Sequence, residues 1–340
     1  MFTTRSGGVT PLADSYRKLA SVRSVNQTTT RAPIALFAYN RPDHLRQVLN
    51  ALLANAGAAE TDLIVYSDGA RDVAAQSRVA EVRAVLHQVR GFQSLNVVER
   101  PSNWGLSRSI TGGVTEIVQY FGRVIVVEDD LITSAHFLSY MNSALDLYAD
   151  DERVISIHGY SYPLEGALPQ TYFLRGADCW GWATWKRGWD LFNPDGGSLL
   201  AELRRRRLEF DFDFQGGARF ADMLRAQVAG RNDSWAIRWY ASAYLAGKLT
   251  LYPGRSLVRN IGNDGTGRHS VPTDQYDVTL TPEAGPLRAV PAEESREART
   301  AVGRFFWQNR RFGQLISRMP FVWRLLWLIR KQREPGKPDL

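Results

Sequence analysis

RVIVVEDDL, residues 123–131, decides the reading of this chain: an apolar run of strand character ends in three consecutive acids. The run is short, β-branched and unbroken by polar residues, which reads as a strand buried on both faces. A sheet needs no carboxylates at its strand ends for stability. Three adjacent carboxylates repel one another and lose hydration when they cluster, so a protein keeps them mainly where a cation neutralises them. A hard divalent ion such as Mg²⁺ or Mn²⁺ prefers such oxygens and completes its shell with phosphate and water. The alternative is a solvated loop whose Asp130 favours the start of the next helix.

Working outward, the same alternation recurs. PIALFAY (33–39) reads as a strand ending at Asn40-Arg41-Pro42, and Pro42 suits the start of a helix carrying Leu45, Val48, Leu49 and Leu52. DLIVYSD (62–68), a helix over 74–90, LNVVE (95–99), a helix over 106–121 and, after the acids, a helix over 134–148 complete the series. Strand and helix at this pitch predict an α/β fold, a mostly parallel Rossmann-like sheet flanked by helices. Ligands in such folds sit at the carboxyl ends of the strands. Here those ends carry Asn40-Arg41, Asp68-Gly69, Glu99-Arg100 and Glu128-Asp129-Asp130.

Past residue 150 the pattern changes. Strands are expected at 154–160, 171–175 and 248–253, helices near 198–208, 218–229 and 234–246, and a Gly-rich loop at 259–275. Four segments follow: a flexible arm (1–31), an alternating half (32–150), a second half (151–275) and a C-terminal extension (276–340). A second Asp-x-Asp, Asp211-Phe212-Asp213, follows an arginine run instead of a strand and reads as surface helix and loop.

Composition narrows the class. Of 340 residues 44% are hydrophobic, enough for one large core. The formal charge is +7, and the segment from Arg304 to Leu340 alone holds nine Lys/Arg against two acids. The body is therefore balanced, which argues against a nucleic-acid groove. With Cys179 alone no internal disulfide exists, so a reducing, cytoplasmic setting is expected. No apolar run of spanning length occurs. PFVWRLLWLIRKQR (320–333) mixes Trp and Ile with Arg and Lys, the pattern of an interfacial helix touching the inner membrane face or, alternatively, of a helix packed on the body.

VVEDDL resembles the metal-binding signature of GT-A fold glycosyltransferases, in the Glu-Asp-Asp form of the N-acetylglucosaminyltransferase I family. PIALFAYNRPDHLRQVLNALL, DLIVYSDG, SNWGLSRSI (102–110) and SAHFLSYMNSALDLY (134–148) resemble further elements of that family. CWGWATWKRGWDLF (179–192) is similar to a segment common in bacterial family-2 sugar transferases. The resemblance covers about residues 32–272. It implies that the half 32–150 binds the nucleotide and that the half 151–275 faces the acceptor. It implies transfer of a sugar from a nucleotide-sugar donor, UDP-linked in preference to GDP-linked, with Mn²⁺ or Mg²⁺ as cofactor. It implies Arg41 at the donor diphosphate or base, Asp68 at the nucleobase, Glu128 at the donor sugar, Asp129 at the ribose or sugar, and Asp130 at the metal.

Transfer to a hydroxyl needs a base for its proton and charge stabilisation for the leaving diphosphate. By the same resemblance the base is Asp233, in GRNDSWAIRWYASAYLAG (230–247), although Asp233 or Ser234 is also a plausible N-cap. One base, on the face opposite the leaving group, fits an inverting displacement. Asp178 is the second candidate base, or else an acceptor contact. Trp180, Trp182 and Trp185 are candidates for stacking on acceptor sugar rings, or for the core. Gly262, Gly265 and Gly267 with Arg268, His269 and Ser270 suit a lid, and His269 is a candidate metal or phosphate contact. Cys179 reads as a buried thiol. The acceptor would be a glycan or a lipid-linked glycan, in surface polysaccharide or glycolipid assembly. Two other classes compete: a sugar nucleotidyltransferase, which would want a glycine-rich loop after its first strand, and an inactive glycan-binding protein of the same fold.

Overall fold

A computed structural model describes residues 31–164, 166, 168–265, 273–281 and 285–317. Its framework is an eight-stranded sheet in the order β3-β2-β1-β4-β8-β6-β9-β7. The strands are β1 (Ile34–Ala38), β2 (Asp62–Ser67), β3 (Ser94–Glu99), β4 (Arg123–Glu128), β6 (Val154–His158), β7 (Thr171–Arg175), β8 (Trp182–Trp185) and β9 (Leu249–Pro253). β3, β2, β1 and β4 are parallel, as crossover helices require. β8 runs antiparallel between β4 and β6, and β7 antiparallel beside β9. The expected α/β sheet is thus present, and it continues unbroken past residue 150.

Helices cover both faces. α1 (Pro42–Leu53), α2 (Gln76–Gln88) and α4 (Phe137–Leu147) bury Leu45, Val82 and Met141 against one face. α3 (Leu106–Phe121) and α9 (Trp235–Leu245) bury Ile110, Val114, Trp235 and Trp239 against the other. Between α3 and α9 in the chain lie α5 (Lys186–Trp189), α6 (Gly196–Arg205), α7 (Glu209–Phe212) and α8 (Phe220–Val228). A third apolar cluster joins β7, α6, α8 and α9 to the first turns of α10 (Arg296–Ser317), which inserts Val302, Phe305 and Phe306. The extension is therefore docked on the body as far as Phe306. Its basic segment 320–333 lies outside the described residues, as does the arm before residue 31 apart from that residue. Among the described residues no helix is long and apolar enough to cross a membrane.

Two elements escape the sequence pattern. β5 (Leu131–Thr133) pairs antiparallel with β10 (Val258–Asn260), making a small ribbon directly after the acids. β8 emerges from the Trp-rich stretch, where every residue is buried and no alternation marks a strand. The second Asp-x-Asp is also not a surface loop. Asp211 bonds Arg175 at 2.7 Å, Arg299 at 2.9 Å and the Tyr244 hydroxyl, tying β7, α10 and α9 together. Phe212 beside it is fully buried, which draws the short helix inward.

Candidate functional site

The carboxyl ends of β1 and β4 meet because the two strands pair in parallel, Phe37 opposite Glu128. That register brings Arg41 over the acids. Its Nη2 donates to Asp129 and, at 2.9 Å, to Asp130. Asp129 also accepts the Tyr39 amide at 3.1 Å and is 3% exposed. Burial raises the Asp129 pKa, Arg41 opposes that and Asp130 adds to it. Glu128 retains some exposed surface, yet its carboxyl is desolvated. Burial first, then Asp130 and Asp129, push its pKa well above the ordinary carboxylate range, with Arg41 the opposing influence. Burial works against the charge of Arg41, but Asp129 and Asp130 outweigh it and raise its pKa. The repulsion foreseen from the sequence is real, and in the free protein a guanidinium relieves it.

Asp130 is clamped from the opposite side. Ile261 N–H donates to its carbonyl at 2.9 Å, and Gly262 packs so closely that a Cβ there would lie 2.2 Å from Asp130 Oδ2. Among the described residues no three His, Cys, Asp or Glu side chains converge as a ligand cluster. Asp129 and Asp130, bridged by Arg41, are the carboxylates at the end of β4 that could hold a divalent ion. His269 lies outside the described residues.

Asp68, 6% exposed, spends its carboxylate on backbone amides: Oδ1 accepts from Gly69 at 3.0 Å and Trp104 at 2.8 Å, Oδ2 from Gly105 at 2.9 Å. It pins the loop that leads into α3 and keeps only part of its accepting capacity for a nucleobase. That loop carries a stack the sequence did not reveal, with Trp104 between Arg100 at 3.8 Å and Arg108 at 3.9 Å.

Asp233 stands at the start of α9 with its side chain 76% exposed. Arg238 links it at 3.3 Å to Ser107 Oγ, bonded at 2.7 Å, in the first turn of α3. Ser234, and not Asp233, caps α9 by accepting from the Ile237 amide. The capping alternative for Asp233 therefore falls away, and its carboxylate is open to solvent.

The Trp-rich segment divides. Trp182 is fully buried among Trp189, Trp235 and Trp239, so its expected role in sugar stacking is corrected to core. Trp185, 7% exposed, is core as well. The physical reason is β8, which lies between β4 and β6 and faces a helix layer on each side. Trp180, just before it, is part-exposed and meets Tyr160 and Tyr276 edge to face. Val126 pairs with Trp182, and extending that register sets Trp180 level with Glu128. Asp178 accepts the hydroxyls of Tyr162 at 2.8 Å and Tyr252 at 3.1 Å. Burial, then Glu128, Asp178 and Asp130, push the Cys179 thiol far up, so it is no nucleophile. A separate cavity of about 480 Å³, between α4 and the loop after β9, holds none of these residues.

Sequence comparison places these features. The profile of the GNT-I family matches residues 13–162, less than half of the chain but including β1 to β4 and the three acids. A comparison with curated proteins gives no match. Among solved structures, a mannosyltransferase, PcManGT from Pyrobaculum calidifontis in complex with GDP-Man and Mn²⁺, is 12% identical. That match covers 44% of this chain and 43% of its own, at TM-score 0.29. TarS 1–349 from S. aureus is also 12% identical, over 66% of this chain and 59% of its own, at TM-score 0.36. This chain thus spans about half the length of each, and at those scores neither bears on the reaction. The family match takes in the run β3-β2-β1-β4 of the sheet, with the acids at the end of β4.

Proposed function

We propose that this chain, a glycosyltransferase of GT-A architecture related over its first half to the GNT-I family, is a metal-dependent, inverting enzyme that uses a nucleotide-sugar donor, UDP-linked in preference to GDP-linked. The observation that carries the reading is the row of carboxylates Glu128-Asp129-Asp130 at the end of β4, with a single guanidinium bonded to two of the three. Such a cluster is ready to exchange its counter-ion. With a nucleotide diphosphate and Mn²⁺ or Mg²⁺ bound, Asp130 would hold the metal and Arg41 would pair with phosphate, and the metal would supply Lewis-acid stabilisation of the leaving diphosphate.

The chain's own groups do the rest. Asp129, fixed by the Tyr39 amide, and Glu128, desolvated beside it, line the donor sugar. Asp233 takes the proton of the acceptor hydroxyl, and Arg238 holds it in place by bridging to Ser107. A lone base, with no second carboxylate bonded to it, suits displacement with inversion. A glycan acceptor, the lipid-linked kind included, and membrane contact through residues 320–333 belong to the same proposal.

The test is nucleotide release from UDP- and GDP-sugars with and without EDTA. Asp130→Ala should lose metal-dependent turnover. Asp233→Asn should keep donor binding and stop transfer. Nucleotide binding indifferent to chelation would remove the metal from this scheme.

A further inference from the structure

We propose that Asp178 and the aromatic side chains around it form the acceptor subsite, and that it accepts neutral or amine-bearing sugar rings and rejects uronates. The word acceptor rests on the transferase reading; the charge selectivity does not.

The position follows from strand register. Trp180 is level with Glu128 on one side and meets Tyr160, its counterpart past β6, on the other, with ring centroids 4.8 Å apart. Asp178, two residues earlier and part-exposed, therefore lies near the acidic strand end. Both tyrosine hydroxyls donate to the same oxygen, Oδ2, and among the described residues no group donates to Oδ1. Two donors on one oxygen fix the carboxylate plane, so Oδ1 is a stationary acceptor for a sugar hydroxyl or ammonium.

The surroundings suit a pyranose ring. Tyr162, Trp180 and Tyr276 are each part-exposed; Tyr162 and Trp180 both meet Tyr160 edge to face, and Tyr276 meets Trp180. Such rings pack against the C–H faces of sugars while their edges stay wet. His158 holds the wall from behind, accepting the Trp180 amide at Nε2 over 3.1 Å. With Nε2 as acceptor the ring is neutral and adds no positive charge.

The charge balance sets the selectivity. Four carboxylates, Glu128, Asp129, Asp130 and Asp178, share this end of the sheet, and Arg41 is committed to two of them. Arg259, on β10, is committed to Asp277 at 2.7 Å. A donor pyrophosphate and a divalent ion carry equal and opposite charge, so their arrival leaves the balance negative. A ring carboxylate entering here would face Asp178, while Arg41 and Arg259, among the described residues, are already paired with acids; like charges brought together suppress the wrong partner.

The probes are the p-nitrophenyl β-glycosides of glucose, of glucosamine with its free amine, and of glucuronic acid. Binding to the full chain is read by calorimetry and saturation-transfer NMR without donor. The glucosaminide and glucoside should bind, and the glucuronide should bind at least about tenfold more weakly. Asp178→Asn should weaken the glucosaminide about tenfold and bring the glucuronide to within about threefold of the glucoside. Tyr252→Phe, which leaves Tyr162 in place, should weaken the glucosaminide about threefold and keep the glucuronide rejected. An unaltered preference order in Asp178→Asn, equal binding of glucuronide and glucoside to the unaltered chain, or no binding of any probe would each overturn the assignment. Nucleotide release from donors is measured separately, so failure of the transferase reading is seen independently of this result.

Discussion

His158 gives a quantitative handle on the acceptor wall. It lies in β6 with 1% of its surface exposed, its ring 4.9 Å from that of Tyr252 and 6.2 Å from that of Tyr160. Burial pushes its pKa from 6.5 down to about 4, against the upward pull of Asp178. The unfolded chain therefore takes up a proton near pH 6.5 that the folded chain refuses until about pH 4. The stability that His158 contributes is fully present above pH 6.5 and is lost as pH falls through that window. At about 1.4 kcal/mol per pH unit the loss reaches about 3 kcal/mol. In His158→Gln the amide oxygen can still accept the Trp180 amide, but nothing titrates. Urea unfolding of both proteins at pH 7.5 and about pH 4.5 isolates the effect, because every other titrating group is common to the two. The unaltered protein should lose about 2–3 kcal/mol more than the variant between those pH values. Parallel pH dependences would refute a buried, neutral imidazole behind Trp180.

Three further outcomes test the donor side. Arg41→Ala strands Asp129 and Asp130 without their counter-ion and should cost about 3 kcal/mol in metal-free buffer; millimolar Mn²⁺ should restore most of the melting temperature, and equal loss with and without Mn²⁺ would separate the acids from the metal. Gly262→Ala drives a methyl group against Asp130 Oδ2 and should weaken Mn²⁺-dependent nucleotide binding at least about tenfold with an unchanged circular dichroism spectrum. Trp182→Ala should cost about 3–5 kcal/mol in urea unfolding, as a buried core truncation does, whereas Trp180→Ala should mainly affect sugar-probe binding.

What the sequence disclosed, and what it hid, divides along physical lines. β1 to β4 and α1 to α4 were readable because each is a local pattern: apolar runs of strand length, helical spacing, and Pro42 or Gly105 at a boundary. The acids at 128–130 stood out because they follow a strand. β5 and β10, three residues each, are too short to show a period, and their pairing joins residues far apart in the chain. Trp182 and Trp180 are indistinguishable by type and adjacent in pattern. Only the insertion of β8 between β4 and β6 makes one core and leaves the other at the surface. Asp68 and Arg41 were legible as strand-end residues, but their partners, the Trp104 and Gly105 amides and the acids, depend on the closed sheet.

The antiparallel β8 also explains how two separately encoded regions come to meet at one end of the sheet. β4 delivers its acids at its carboxyl end. A strand entering from the opposite direction must begin at that same end, so the residues before it, Asp178 to Gly181, necessarily arrive beside Glu128. Gly181 makes the approach possible: its φ is +63°, a region costly for other residues, and a Cβ there would lie 2.6 Å from Val258 Cγ2. Gly159, whose amide donates to the Gly181 carbonyl at 2.7 Å, has no room for a Cβ either, with Phe137 at 2.7 Å. The glycine in CWGW and the glycine after β6 are thus one packing device, which sets the carboxylate of Asp178 and the wall of Trp180 against the acidic strand end.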